Sequence, residues 1–146
     1  MSSRHRRKGF QHERELVRKL WKLGFAVIRA PASGSKVKRS VYPDVTAIYK
    51  GNILVFEVKV RNKPQTVYVE RRQVEKLMEF SRRASAKAFI AIKFIGHSDW
   101  RFIPIDKLEE TSGGNFKITP DAFNGGLTLS DLLKLVGHGG LTRFVR

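Results

Sequence analysis

The chain has 146 residues, 41% of them hydrophobic, which suits one compact domain over 1–146 and excludes a disordered or low-complexity chain. It has no cysteine, so disulfides and cysteine-based zinc sites are excluded. Lys and Arg number 29 against 13 Asp and Glu, a formal net charge of +16. Such an excess repels itself and points to a polyanionic partner. An acidic membrane surface is the competing partner, but the cations are spread along the chain and no basic amphipathic helix or lipidation motif stands out. No apolar run could span a bilayer, and the basic opening "MSSRHRRKGF" is followed by none, so it does not read as a signal peptide. The expected location is cytoplasmic, with nucleic acid as partner.

In chain order, residues 1–9 read as a basic N-terminal arm. Gln11–Leu23 is a predicted helix, with Leu16, Val17, Leu20, Trp21 and Leu23 recurring at three- and four-residue steps and Gly24 as its stop. Phe25–Ala30 reads as a strand. "PASGSKVKRSVYP", 31–43, is a loop rich in Pro, Ser, Gly and cations. Two apolar strands follow, turning at Lys50-Gly51-Asn52. "VYVERRQVEKLMEFSRRAS" holds a short strand and then a helix, with Val74, Leu77, Met78 and Ser81 on one face. Lys87–Ile95 is a continuous apolar strand and Trp100–Ile105 another. Residues 109–126 show no clear pattern, and 106–146 is the least determined part. Thr128–Val136 is a terminal helix capped by Thr128 or Ser130. The expected fold class is α/β, a mixed sheet flanked by helices.

The hairpin carries three charges inside apolar strands. Alternation puts Glu57 and Lys59 on one face and Leu54, Phe56, Val58 and Val60 on the other. A two-residue turn at Lys50-Gly51 pairs Tyr49 with Asn52 and sets Asp44 opposite Glu57. A turn at Gly51-Asn52 sets Asp44 opposite Lys59. In either register the three side chains share a face within cross-strand reach. Glu13 heads the buried stripe of the first helix and is a fourth member if that helix packs on the sheet, whereas Glu15 is placed further outward.

Two explanations compete. One is a structural ion network in which Lys59 pairs Glu57 or Asp44. The other is a hard-cation site, since Asp44, Glu57 and Glu13 suit Mg²⁺, with Mn²⁺ as substitute, and a lysine beside the ion can stabilise charge on a phosphate. Three acids to one lysine leave a negative excess that a divalent cation would neutralise. The candidate DNA contacts are Arg7 and Lys8 in the arm, Arg14, the loop residues Ser33, Ser35, Lys36, Lys38 and Arg39, and Arg61 beyond the second strand. A serine between Ala32 and Gly34 is most often ordinary loop chemistry, and Ser33 reads so first. No histidine has triad company, and His5, His12, His97 and His138 are scattered surface residues rather than zinc ligands. Trp21, Phe25, Phe89 and Phe94 are expected in the core, and Phe80 at either a core edge or a dimer contact.

Pro43-Asp44 followed by Glu57-Val58-Lys59 resembles the PD-(D/E)xK nuclease superfamily. With "RKGFQHERELV", "GFAVIRAPASGS" and "VEKLMEFSRRA", the stretch Arg7–Ile105 resembles the archaeal Holliday junction resolvases. That resemblance implies a restriction-endonuclease-like fold and metal-binding acids Glu13, Asp44 and Glu57. It also implies a transition-state role for Lys59, a loop serine needed for cleavage at Ser33, and a DNA contact at Arg29. It implies a homodimer, Phe80 contributing, that cuts paired strands of a four-way junction in recombination and repair, with accessory recombination proteins unidentified. The insert "KVKRSVY" lies where lengths vary in the family. The alternatives are a related nuclease acting on other DNA and a non-catalytic DNA-binding module.

Overall fold

In the computed structural model, residues 3–31 and 41–145 are described, with side chains from 11 to 31 and 41 to 137. Helix α1 (Ser3–Lys22) leads into β1 (Ala26–Arg29) and the hairpin β2 (Val45–Tyr49) and β3 (Asn52–Arg61). Then come β4 (Val67–Val69), α2 (Arg71–Ala84), β5 (Lys87–Phe94) and β6 (Arg101–Pro104). A 3-10 turn, Ile105–Lys107, precedes β7 (Glu109–Glu110), β8 (Phe116–Ile118), α3 (Pro120–Asn124) and α4 (Leu129–Val145).

The main sheet has the order β1-β2-β3-β5-β6. Its pairs are antiparallel except β3 with β5, which α2 connects as a β-α-β crossover. A mixed sheet with flanking helices was expected, and the hairpin register is the Lys50-Gly51 one, with Tyr49 opposite Asn52. Lys50 and Gly51 both take positive φ, 47° and 85°, the twist that a two-residue hairpin turn demands.

Alternation divides the core in two. Leu54 and Phe56 of β3 and Phe89 and Ala91 of β5 face α1 and α4, meeting Leu16, Leu20, Leu132 and Val136. Val55, Ala88, Ile90 and Ile92 face the other way, toward Val74 and Leu77 of α2. A second small sheet, order β4-β8-β7, packs on that side through Val67, Val69 and Ile118. The patternless stretch 109–126 thus holds β7, β8 and α3. Its elements are two to five residues long, too short to show a period.

Three expectations are corrected. The arm 1–9 is largely helical, because α1 starts at Ser3 rather than Gln11. Trp21 is 64% exposed, since the α1 stripe that meets the sheet is centred on Leu16 and Leu20, whereas Phe25, Phe89 and Phe94 are buried as expected. Met78 is exposed too, because α2 turns Val74 and Leu77 inward.

Candidate active site

Glu57 lies mid-way along β3 on the α2 side, 5% exposed, and is the buried charged side chain of the described residues. Its neighbourhood forms where β2 and β3 part. The ladder begins at Val45 opposite Phe56. Beyond it Asp44 continues the pairing with its side chain, Oδ2 accepting the Val58 N–H at 2.8 Å. This holds the Asp44 carboxylate against β3, within hydrogen-bonding reach of Glu57. Asp44 therefore stands at the end of the ladder beside Glu57, and its charge also acts on Glu13.

Burial first, and the Asp44 charge second, push the Glu57 carboxyl up to about 7, against the opposing pull of Lys76 and Lys59. Lys76 Nζ stands 3.7 Å from Glu57 Oε1, and that buried oxygen has no hydrogen-bond partner. The Lys59 ammonium donates to Gln73 Oε1 at 2.9 Å, and Gln73 Nε2 donates to Glu57 Oε2 at 3.1 Å. Burial lowers the Lys59 pKa, opposed by the negative charge of Glu57.

Glu13 approaches Asp44 from the α1 side of the sheet. Burial, then the Asp44 charge, raise its carboxyl to about 7, with Arg29 opposing. Arg29, expected to touch DNA, closes an ion pair with Glu13 at 3.5 Å. Glu15 is the more outward of the two, as expected, its side chain 29% exposed against 17% for Glu13. Its Oε1 accepts from Lys93 Nζ at 2.6 Å and from Trp100 Nε1 at 3.0 Å, tying α1 to the far edge of the sheet.

Among the described residues no three His, Cys, Asp or Glu side chains converge into a full metal cage. Two observations fit a hard divalent cation all the same. Glu57 Oε1 is buried without a hydrogen-bond partner, the Lys76 ammonium standing 3.7 Å away. Two carboxyls, Glu13 and Glu57, are also held up to about 7 by burial and then by the charge of Asp44, both of which a cation would relieve. Mg²⁺ keeps several waters and needs few protein oxygens, so an incomplete cage suits it.

Arg14 is exposed on α1, and Arg61 ends β3 with its guanidinium on the Val60 carbonyl. Ser33, Ser35, Lys36, Lys38 and Arg39 lie outside the described residues, as do the side chains of Arg7 and Lys8. Phe80 is half-buried against the α2-side core and lines a groove of about 490 Å³ with Val41, Lys76 and Arg83. Sequence reasoning missed Gln73 and Lys76. The available signal was a polar pair at i and i+3 beside the Val74–Leu77 stripe, and its meaning depends on how α2 is rotated over β3.

Fold and cluster together define the class: a mixed-sheet nuclease domain of the PD-(D/E)xK type. The family model described as archaeal Holliday junction resolvase (Hjc) matches residues 4–139. A crossover junction endodeoxyribonuclease Hjc of Sulfurisphaera tokodaii is 42% identical, over 88% of each chain. Its Archaeoglobus fulgidus namesake is 38% identical, over 86% of this chain and 88% of that one. The solved structure of Archaeoglobus fulgidus Hjc, a Holliday junction resolvase, superposes with a TM-score of 0.76 at 34% identity, over 87% of this chain and 96% of that one. The chain belongs to the archaeal Holliday junction resolvase family. Among the described residues no helix is long and apolar enough to cross a membrane.

Proposed function

We propose that this endonuclease resolves four-way DNA junctions by Mg²⁺-dependent phosphodiester hydrolysis at the Asp44–Glu57–Lys59 cluster, acting as a homodimer so that opposed strands are cut in pairs. The observation that carries it is the meeting of Asp44 and Glu57 where β2 and β3 part, with Lys59 on the same face as Glu57 and one Glu57 oxygen buried without a hydrogen-bond partner. The relatives named as crossover junction endodeoxyribonucleases support the substrate.

Asp44, Glu57 and the Val58 carbonyl would hold the cation. That carbonyl leaves β3 on the same side as the N–H that Asp44 accepts. Glu13 completes the set directly or through water. When bound, the divalent cation supplies Lewis-acid stabilisation and lowers the pKa of a coordinated water. Lys59 faces the phosphate, positions the attacking water and offsets negative charge as the water oxygen bonds to phosphorus and gives its proton to solvent, while the bond to the sugar oxygen breaks and that oxygen takes a proton from solvent. Arg7, Lys8, Arg14, Arg29, Arg61 and the loop set Ser33, Ser35, Lys36, Lys38 and Arg39 are assigned to phosphates, with Ser33 also assigned a part in cleavage. Phe80 is assigned to the dimer contact, and the working location is the cytoplasm.

Asp44→Asn and Glu57→Gln are expected to lower single-turnover cleavage of a synthetic four-way junction at least about 100-fold, with junction affinity kept and two protomers per junction. Chelation should abolish cleavage, and Mn²⁺ should restore it. Near-normal cleavage by either variant overturns the site. Faster cleavage of flaps or plain duplex than of the junction overturns the substrate.

A further inference from the structure

We propose that Gln73 is a positioning residue of this site, an amide spacer that keeps the Lys59 ammonium from collapsing onto Glu57. The inference rests on the cluster reading above and deepens it. Glu57 and Lys59 are two apart on one strand face, close enough for a lysine to swing onto the carboxylate. Such a pair would neutralise the carboxylate that is meant to hold a cation and turn the ammonium away from the phosphate. The Lys59 ammonium instead hydrogen-bonds Gln73, and the same amide donates its N–H to Glu57.

The choice of side chain follows from donors and acceptors. An ammonium only donates and a carboxylate only accepts, so a bridge between them must offer one acceptor and one donor. A primary amide does both without charge. A glutamate at this position would add a third carboxylate beside Asp44 and Glu57, and a lysine or arginine could not accept from Lys59. Asparagine is one methylene shorter than the span from α2.

The amide is held by an element other than β3. Val74 and Leu77 seat α2 on the sheet. The helix start is pinned from the small sheet. The Arg71 N–H donates to Asn115 Oδ1 at 3.0 Å, its guanidinium pairs with Glu110 at 2.9 Å, and it lies 4.8 Å over the Phe116 ring. The β7–β8 unit thus fixes the axial position of α2, and through Gln73 the spacing of two active-site groups. Supporting contacts of this kind are worth about 10-fold or more in metal affinity or rate.

The test uses Gln73→Met, which keeps volume and removes both hydrogen bonds. Calorimetric titration of Mn²⁺ into the full chain without DNA should show affinity about 10-fold weaker than wild type, with junction affinity unchanged and kcat lowered by a similar factor. In the double variant Lys59→Met/Gln73→Met, Mn²⁺ affinity should return to the wild-type value, because Lys59 can no longer collapse onto Glu57 and Lys76 stands 3.7 Å from it in every variant's starting structure. Equal weakening in the single and double variants assigns Gln73 to packing alone and overturns the proposal. So does a lowered melting temperature with normal kcat and normal Mn²⁺ affinity. Should Glu57→Gln retain wild-type cleavage, the cluster reading itself fails, an outcome distinct from a wild-type-like Gln73→Met beside inactive Glu57→Gln.

Discussion

At the scale of single residues, Glu57 is placed against its own stability. Its carboxyl is raised from 4.5 to about 7 by burial and by Asp44. Below about pH 4.5 it is protonated in folded and unfolded chains alike, and there is no penalty. Between about 4.5 and 7 the unfolded chain ionises first. The folded state therefore loses stability as pH rises, and above 7 the full penalty applies. Metal-free Glu57→Gln is consequently expected to be more stable than wild type at pH 8, by about 1–3 kcal/mol, with the difference gone by about pH 4. Urea unfolding in chelator at both pH values measures this, and a less stable variant at pH 8 contradicts it. The glutamine keeps an acceptor for Gln73 and gains a donor toward Asp44, so no new orphan is created. Asp44, Glu57 and Lys59 were readable in sequence because charges inside apolar strands must have a use. Gln73 was not, since a glutamine on a helix flank looks like solvent-facing polarity until α2 is docked.

The elements differ in how they are specified. The β2–β3 register follows from Lys50-Gly51, whose positive φ values suit a two-residue turn. The opening of α4 is equally local. Thr128 Oγ1 accepts the Asp131 N–H at 3.1 Å, and Asp131 Oδ2 accepts the Thr128 N–H at 2.9 Å, a reciprocal capping box. Of the two expected caps, Thr128 is the one used. Thr128→Ala is expected to cost about 1 kcal/mol, seen as a melting temperature lower by roughly 3 °C, with cleavage of the junction unchanged. An unchanged melting temperature would show that packing of Leu132 and Val136 alone holds the helix start. By contrast β7, β8 and α3 have no local signature. Their polar, two- to five-residue segments are stable only against β4, β6 and the start of α2, so a reading by periodicity passes over them.

For the whole molecule, a net charge of +16 sets the interaction with DNA. Junction affinity is expected to fall steeply with salt, about 10³-fold or more from roughly 50 to 200 mM, as counterions return to the phosphates. A fluorescence-anisotropy titration over that range checks it, and a flat response would mean that the cationic excess does not meet the backbone. Charge, hairpin turn and strand alternation are properties of the chain itself. They rest on composition or on neighbours a few residues apart, and from them came the polyanionic partner, the mixed sheet and the Asp44–Glu57–Lys59 grouping. Other features depended on how helices dock. Trp21 lies outside, Glu13 meets Arg29, Glu15 holds Lys93 and Trp100, and Gln73 stands between Lys59 and Glu57. A helix can turn about its axis with little change in its own sequence pattern, and only packing against a distant part of the chain selects which flank faces the sheet.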